Sequence, residues 1–113
     1  MIIDCHGHYT TEVQALTDYR KAQLEALAND PNYKPKAADF EVDENEMREK
    51  LEAAQLKLQS ERGSDLTIFS PRAVGMGHHL GTEQTAYYWA QISNDMVHRA
   101  VTMYPDKFVG VCQ

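Results

Sequence analysis

The apolar positions change period several times along the chain, and each change marks an element. Residues 2–8, Ile-Ile-Asp-Cys-His-Gly-His, begin with β-branched side chains and pass into polar chemistry, the pattern of a short strand with its reactive groups at the carboxyl end. Over residues 12–28 the spacing lengthens. Val13, Leu16, Leu24 and Leu27 fall on one side of a helix, and Arg20 interrupts that stripe. Residues 29–42 carry Pro31 and Pro35 and little periodicity, which predicts a long surface excursion, either a substrate-contact loop or a mobile insertion. Asp43 is placed to cap a second helix with Glu46 as its reciprocal partner, and Met47, Leu51, Ala54 and Leu58 follow at helical spacings. Gly63 supplies the stop.

Leu66-Thr67-Ile68-Phe69-Ser70 is a near-continuous apolar run between Asp65 and Pro71, which predicts a strand covered on both faces and hence parallel packing. A glycine-bearing loop over residues 71–82 leads to Thr82, a plausible cap for a third long helix that runs to about Tyr104, before Pro105. Ala86, Trp89, Ile92, Met96, Val97, Ala100 and Val101 give that helix a broad apolar face. Residues 107–113 then begin another buried strand. Strand, helices, strand, helix, strand is the order of βαβ units, so the predicted class is α/β with a parallel sheet.

Composition changes this picture little. With 113 residues the chain has one domain's length at most. Its 11 Lys+Arg and 17 Asp+Glu give a net charge of −6, and no basic cluster exists, so neither nucleic acid nor an anionic membrane surface is an expected partner. Nine acids and four bases lie within residues 39–65, which localises most of the charge to the outer face of the second helix. No apolar run approaches the ~18 residues of a membrane helix. The start, Met1-Ile2-Ile3-Asp4, has no cationic leader segment, so a cytoplasmic setting is expected, with Cys5 and Cys112 as reduced thiols. Those two cysteines fall on strands expected about 9.6 Å apart, too far for a disulfide.

The chemically suggestive residues converge on one edge. His6 and His8 close the first strand, Arg72 follows the second, and Cys112 and Gln113 close the third, where parallel α/β folds carry their sites. A strand repeats every two residues, so His6 and His8 should point to one face about 6.6 Å apart along the backbone, able to share a Zn²⁺ or similar ion. Two ordinary polar residues at a strand end is the competing reading. Asp4 should lie on the same face and orient a ligand, while Cys5 should point the other way and be buried. Arg72 suits either a bidentate hold on a substrate carboxylate or a surface ion pair. His78 and His79 in the glycine-bearing loop could meet an anionic substrate or simply face solvent. Trp89, Tyr87 and Tyr88 read as packing groups, and His98 as a solvent-facing or structural residue.

The segment Met1 to Tyr9 resembles the opening of the amidohydrolase superfamily, in its branch of metal-dependent decarboxylases and hydratases of aromatic catabolism. The likeness continues through Glu61 to Ala73 with its Ser-Pro-Arg segment, through Trp89-Ala90-Gln91, and through Phe108 to Cys112. The resemblance implies that residues 1–113 are the N-terminal part, about three βα units, of a single (β/α)₈ TIM-type barrel domain, since the whole fold needs about 250 residues. It implies a divalent metal, usually zinc, with His6 and His8 as the first pair of ligands and the remaining ligands and acid–base groups on later strands. The implied reaction is hydro-lyase chemistry, water added across the carbon–carbon double bond of an unsaturated tricarboxylate. The implied whole enzyme is a homo-oligomer, and this piece alone would be inactive. A decarboxylase or hydrolase of the same superfamily is the alternative within the family, and a small non-catalytic metal-binding or interaction module is the alternative outside it.

Overall fold

The computed structural model describes residues 1–113. Strand β1 (Ile3–Tyr9) leads to helix α1 (Gln14–Asn29), then to α2 (Glu44–Leu51), a π-helical turn (Glu52–Leu56) and α3 (Lys57–Glu61) as one continuous rod. Strand β2 (Leu66–Pro71), a 3₁₀ turn (Ala73–Met76), α4 (Glu83–Met103) and β3 (Phe108–Gly110) complete the order. The three strands form one parallel sheet, β1-β2-β3, as the βαβ order predicts.

The helices cover one face of this sheet. Tyr9, Phe69 and Phe108 project from the strands into a core with Leu16, Met47, Leu51, Met96, Val97 and Ala100 from the helices. Along β2 only alternate residues are buried: Thr67, Phe69 and Pro71 face the helices, while Leu66, Ile68 and Ser70 are half-buried. The expectation of a strand covered on both faces is therefore corrected, because no second layer lies against the far side. The third strand is likewise short, with Phe108 inside and Val109 and Val111 exposed. Both β1 and β3 have a free edge. The result is an extended body, with a radius of gyration of 15.1 Å against about 13 Å for a compact chain of this length.

Two local irregularities set what faces what. In β1 the register runs Asp4↔Thr67 and then Gly7↔Phe69, so Cys5 and His6 together oppose Ile68. This is a β-bulge, one residue more on β1 than on its partner. It moves Asp4 to the parity of Thr67, away from that of His8, and leaves Cys5 exposed, against the alternation expected from sequence. Gly7 is required there, since a Cβ would lie 2.2 Å from the Thr67 Cγ2. In the second rod, Met47 and Leu51 are buried as their spacing predicts, but the buried position one turn past the π segment is Gln59, and Leu58 is exposed. A π turn spends an extra residue and rotates everything after it. Gln59 then donates to the Thr67 hydroxyl and to the Lys107 carbonyl, tying the rod to β2 and to the entry of β3.

Asp43 caps α2 as predicted, accepting from the backbone N–H groups of Asn45 and Glu46. Glu46 does not return the bond; its carboxylate accepts from the backbone N–H of Gln14 at 2.7 Å and so caps the start of α1 instead. At the rod's end, Gly63 takes φ +68° and the Ser64 N–H reaches the Gln59 carbonyl, a Schellman stop. The excursion at 29–42 is pinned rather than loose. Tyr19 Oη and Gln23 Nε2 both donate to the Lys36 carbonyl, and Phe40 and Val42 pack on the core.

Candidate metal centre at the end of the first strand

His6 and His8 meet at the end of β1. Their Nε2 atoms are 3.0 Å apart, and the rings meet edge to face with centroids 4.8 Å apart. With nitrogen–metal bonds of ~2.05 Å, that separation subtends about 94° at a shared ion, within the range of divalent-metal geometries. The pair therefore fits the ion that the sequence suggests, as two of its ligands. No third His, Cys, Asp or Glu joins them to make a cluster of three.

The strand end that carries the pair is held from several sides. Gln55, inside the π turn, donates to the Thr10 hydroxyl and accepts from that of Thr11. Lys50 Nζ donates to the Glu12 carbonyl at 2.8 Å. On the far face, Ser70 sits across from His8 in the register, with its Oγ 2.9 Å from His8 Nδ1 and 3.2 Å from the Gly7 carbonyl. A groove of about 200 Å³ lies between the strands and the rod that follows α1, lined among others by His6, His8, Gln55, Gln59, Arg62 and Thr67.

The other residues singled out from sequence fall differently. Asp4 accepts from the backbone N–H of His6 at 3.0 Å, so it braces the bulge rather than an imidazole ring. Arg72 follows β2 at the same carboxyl edge but lies outside the groove, half-exposed, with its guanidinium 3.6 Å from the Glu12 carboxylate. His78 and His79 are exposed in the loop after the 3₁₀ turn, and their rings meet edge to face. Cys5 and Cys112 are free, exposed thiols, Cys5 on β1 and Cys112 two residues past the end of β3, and those strands are not neighbours. Tyr87 is exposed and Trp89 buried, as packing residues rather than a stacking platform, and His98 faces solvent.

Two features escaped the sequence reading. Ser70 gave no signal beyond being a hydroxyl in an otherwise apolar strand. Arg20, read as an interruption, is buried together with Gln23, so the inward stripe of α1 is Leu16, Arg20 and Gln23, while Leu24 is exposed. Its guanidinium binds the Glu12 carboxylate, the Gly75 carbonyl and the Ser93 hydroxyl, and lies over the Trp89 ring. Glu12 thus sits between two arginines and ties the loop after β1 to α1 and to the residue that follows β2.

Tyr9, next to His8 and 3% exposed, has no hydrogen-bond partner for its hydroxyl. Burial is the main cause that pushes its phenol up to about 12. Between about pH 10 and pH 12 the unfolded chain releases this proton while the folded chain keeps it, so stability falls as pH rises through that window, by about 2–3 kcal/mol for this group. Tyr9→Phe is expected to remove that part of the loss at little cost in stability at pH 7, since only a weak approach to the Val13 backbone is given up. Urea midpoints of both proteins from about pH 9 to 12 check this; parallel curves would contradict it.

No family model matches the chain. It is 45% identical over 112 residues to the 2-keto-4-carboxy-3-hexenedioate hydratase of Sphingobium sp., a match that takes in 99% of this chain and 32% of that protein. It also superposes on the crystal structure of 4-oxalomesaconate hydratase from Rhodopseudomonas palustris with a TM-score of 0.80 and 41% identity, over 99% of this chain and 32% of that one. The chain therefore spans about a third of the length of the relatives it matches.

Proposed function

We propose that this chain supplies the first two βα units and the third strand of a (β/α)₈ barrel, and two ligands of a divalent metal, zinc, to a hydratase that adds water to an unsaturated keto tricarboxylate. The observation that carries the reading is the convergence of the His6 and His8 Nε2 atoms at the carboxyl end of β1. The relatives support it, because both names describe hydration of such a compound. The bare far face of the sheet supports the barrel, whose interior that face would line.

His6 and His8 would hold the ion, and the bonds that fix Thr10, Thr11 and Glu12 keep the strand end from spreading. Bound there, a divalent ion supplies Lewis acidity, polarising a substrate oxygen or lowering the pKa of a bound water. Arg72 is the cation that this edge offers to a substrate carboxylate. Glu12 neutralises it only in part, being shared with Arg20 at closer range. His79, exposed on the neighbouring loop, is a second group that an anionic substrate can meet.

The test is a chimera in which this chain replaces the corresponding third of the R. palustris hydratase. It is expected to hydrate 4-oxalomesaconate, and His6→Ala or His8→Ala is expected to lower kcat/KM at least about 100-fold with the helical signal intact. A folded, metal-loaded chimera that decarboxylates a related acid and leaves 4-oxalomesaconate unhydrated would overturn the hydratase reading.

A further inference from the structure

A serine hydroxyl has one proton to give, and at Ser70 two acceptors lie within its reach. Ser70 Oγ is placed to donate to the Gly7 carbonyl at 3.2 Å, a group with no proton of its own to offer. With the proton there, the 2.9 Å contact to His8 Nδ1 is one in which the oxygen accepts, and the ring proton of neutral His8 sits on Nδ1. The lone pair of His8 is left on Nε2, the atom 3.0 Å from His6 Nε2. The backbone enforces this arrangement. Ser70 lies directly across from His8 in the β1–β2 register, and Gly7, the next residue back, presents the accepting carbonyl.

We propose that Ser70 is a positioning residue that fixes His8 as the Nδ1–H tautomer and thereby aims its Nε2 lone pair at the point His6 also faces. An imidazole in the opposite tautomer would present an N–H there and could not ligate a cation. Ligating histidines generally owe their orientation to such a bond at the other nitrogen. Here the bond comes from a neighbouring strand 62 residues along the chain. The consequence for a cation rests on the metal reading given above, whereas the tautomer does not.

Two measurements on the full 113-residue chain separate the two. The first is the long-range ¹H–¹⁵N spectrum of the histidine rings without metal, at a pH where imidazole is neutral. His8 is expected to show a protonated Nδ1 and a bare Nε2. Ser70→Ala is expected to move the proton to Nε2 in most molecules, and Ser70→Thr to restore the original pattern. A protonated Nε2 in the unsubstituted chain, or an unchanged spectrum in Ser70→Ala, would overturn the proposal. The wild-type pattern needs no variant, so the test survives a Ser70→Ala chain that fails to fold. The second is a zinc titration, in which Ser70→Ala is expected to weaken binding about 10- to 100-fold; equal affinity would overturn the coupling of Ser70 to the cation. An expected tautomer shift in a chain that binds no zinc would uphold the role of Ser70 and overturn its coupling to a cation held by these two histidines alone.

Discussion

Replacing Arg20 by methionine is expected to lower the stability of the chain by on the order of 3 kcal/mol, the range seen when one partner of a buried ion pair is removed. Arg20 is 8% exposed, and its guanidinium joins four pieces of the structure. It binds the Glu12 carboxylate after β1, the Gly75 carbonyl at 2.6 Å in the loop after β2, and the Ser93 hydroxyl at 2.8 Å on α4, all from its own place on α1. Methionine would keep much of the contact with Trp89 but leave Glu12 with only the longer approach to Arg72. Lysine is expected to recover only part of the loss. A single ammonium cannot occupy three fixed acceptor positions at once, and it lacks the planar face that meets the indole. Urea unfolding reads the effect as a lower midpoint at an unchanged slope. A shift under about 0.5 kcal/mol would mean that the arginine's own buried and unpartnered Nε already cancels what its other bonds contribute.

Arg20 also shows where the sequence stopped being readable. The helix around it is announced by spacing alone, but a charged residue within an apolar stripe looks like an interruption until its partners are known. Those partners are Gly75 and Ser93, 55 and 73 residues away. The rod from Glu44 to Glu61 behaves similarly. Its cap and first two buried positions follow from local rules, and the prediction fails only past the π turn, where one extra residue substitutes Gln59 for Leu58 on the inner face. Glu46 was close enough in sequence to serve its own helix, yet the start of α1 lies nearer in space.

The candidate site was legible to the same degree and for the same reason. Two histidines one residue apart at a strand end can be found by inspection, and parallel βαβ order puts them on the carboxyl edge with Arg72. Their alternation with Asp4 and Cys5 was misread because a bulge is a property of two paired strands, and only the pairing of Gly7 with Phe69 reveals it. Ser70 was invisible because its function depends on the residue across from it. His6 and His8 stand one strand repeat apart along the backbone, about 6.6 Å, and their side chains close that to 3.0 Å between the Nε2 atoms.

The second large effect follows from that distance. Removing either imidazole leaves a single neutral nitrogen at a solvent-facing strand end, which has little hold on a hydrated cation. His6→Ala and His8→Ala are therefore each expected to abolish zinc binding by the chain, while neither disturbs the fold, since both rings point away from the buried core. Two ligands are half of what a structural zinc site uses and fewer than the three protein ligands of a catalytic one. Binding by the unsubstituted chain is accordingly expected to be weak. A self-sufficient metal-binding module would instead bind tightly through the same two residues.

The most direct measurement is a calorimetric zinc titration of the 113-residue chain beside its His6→Ala and His8→Ala variants. Weak, saturable binding of one ion per chain is expected, lost in both variants. Binding that persists undiminished in either variant, or that is tight in the unsubstituted chain, would contradict it.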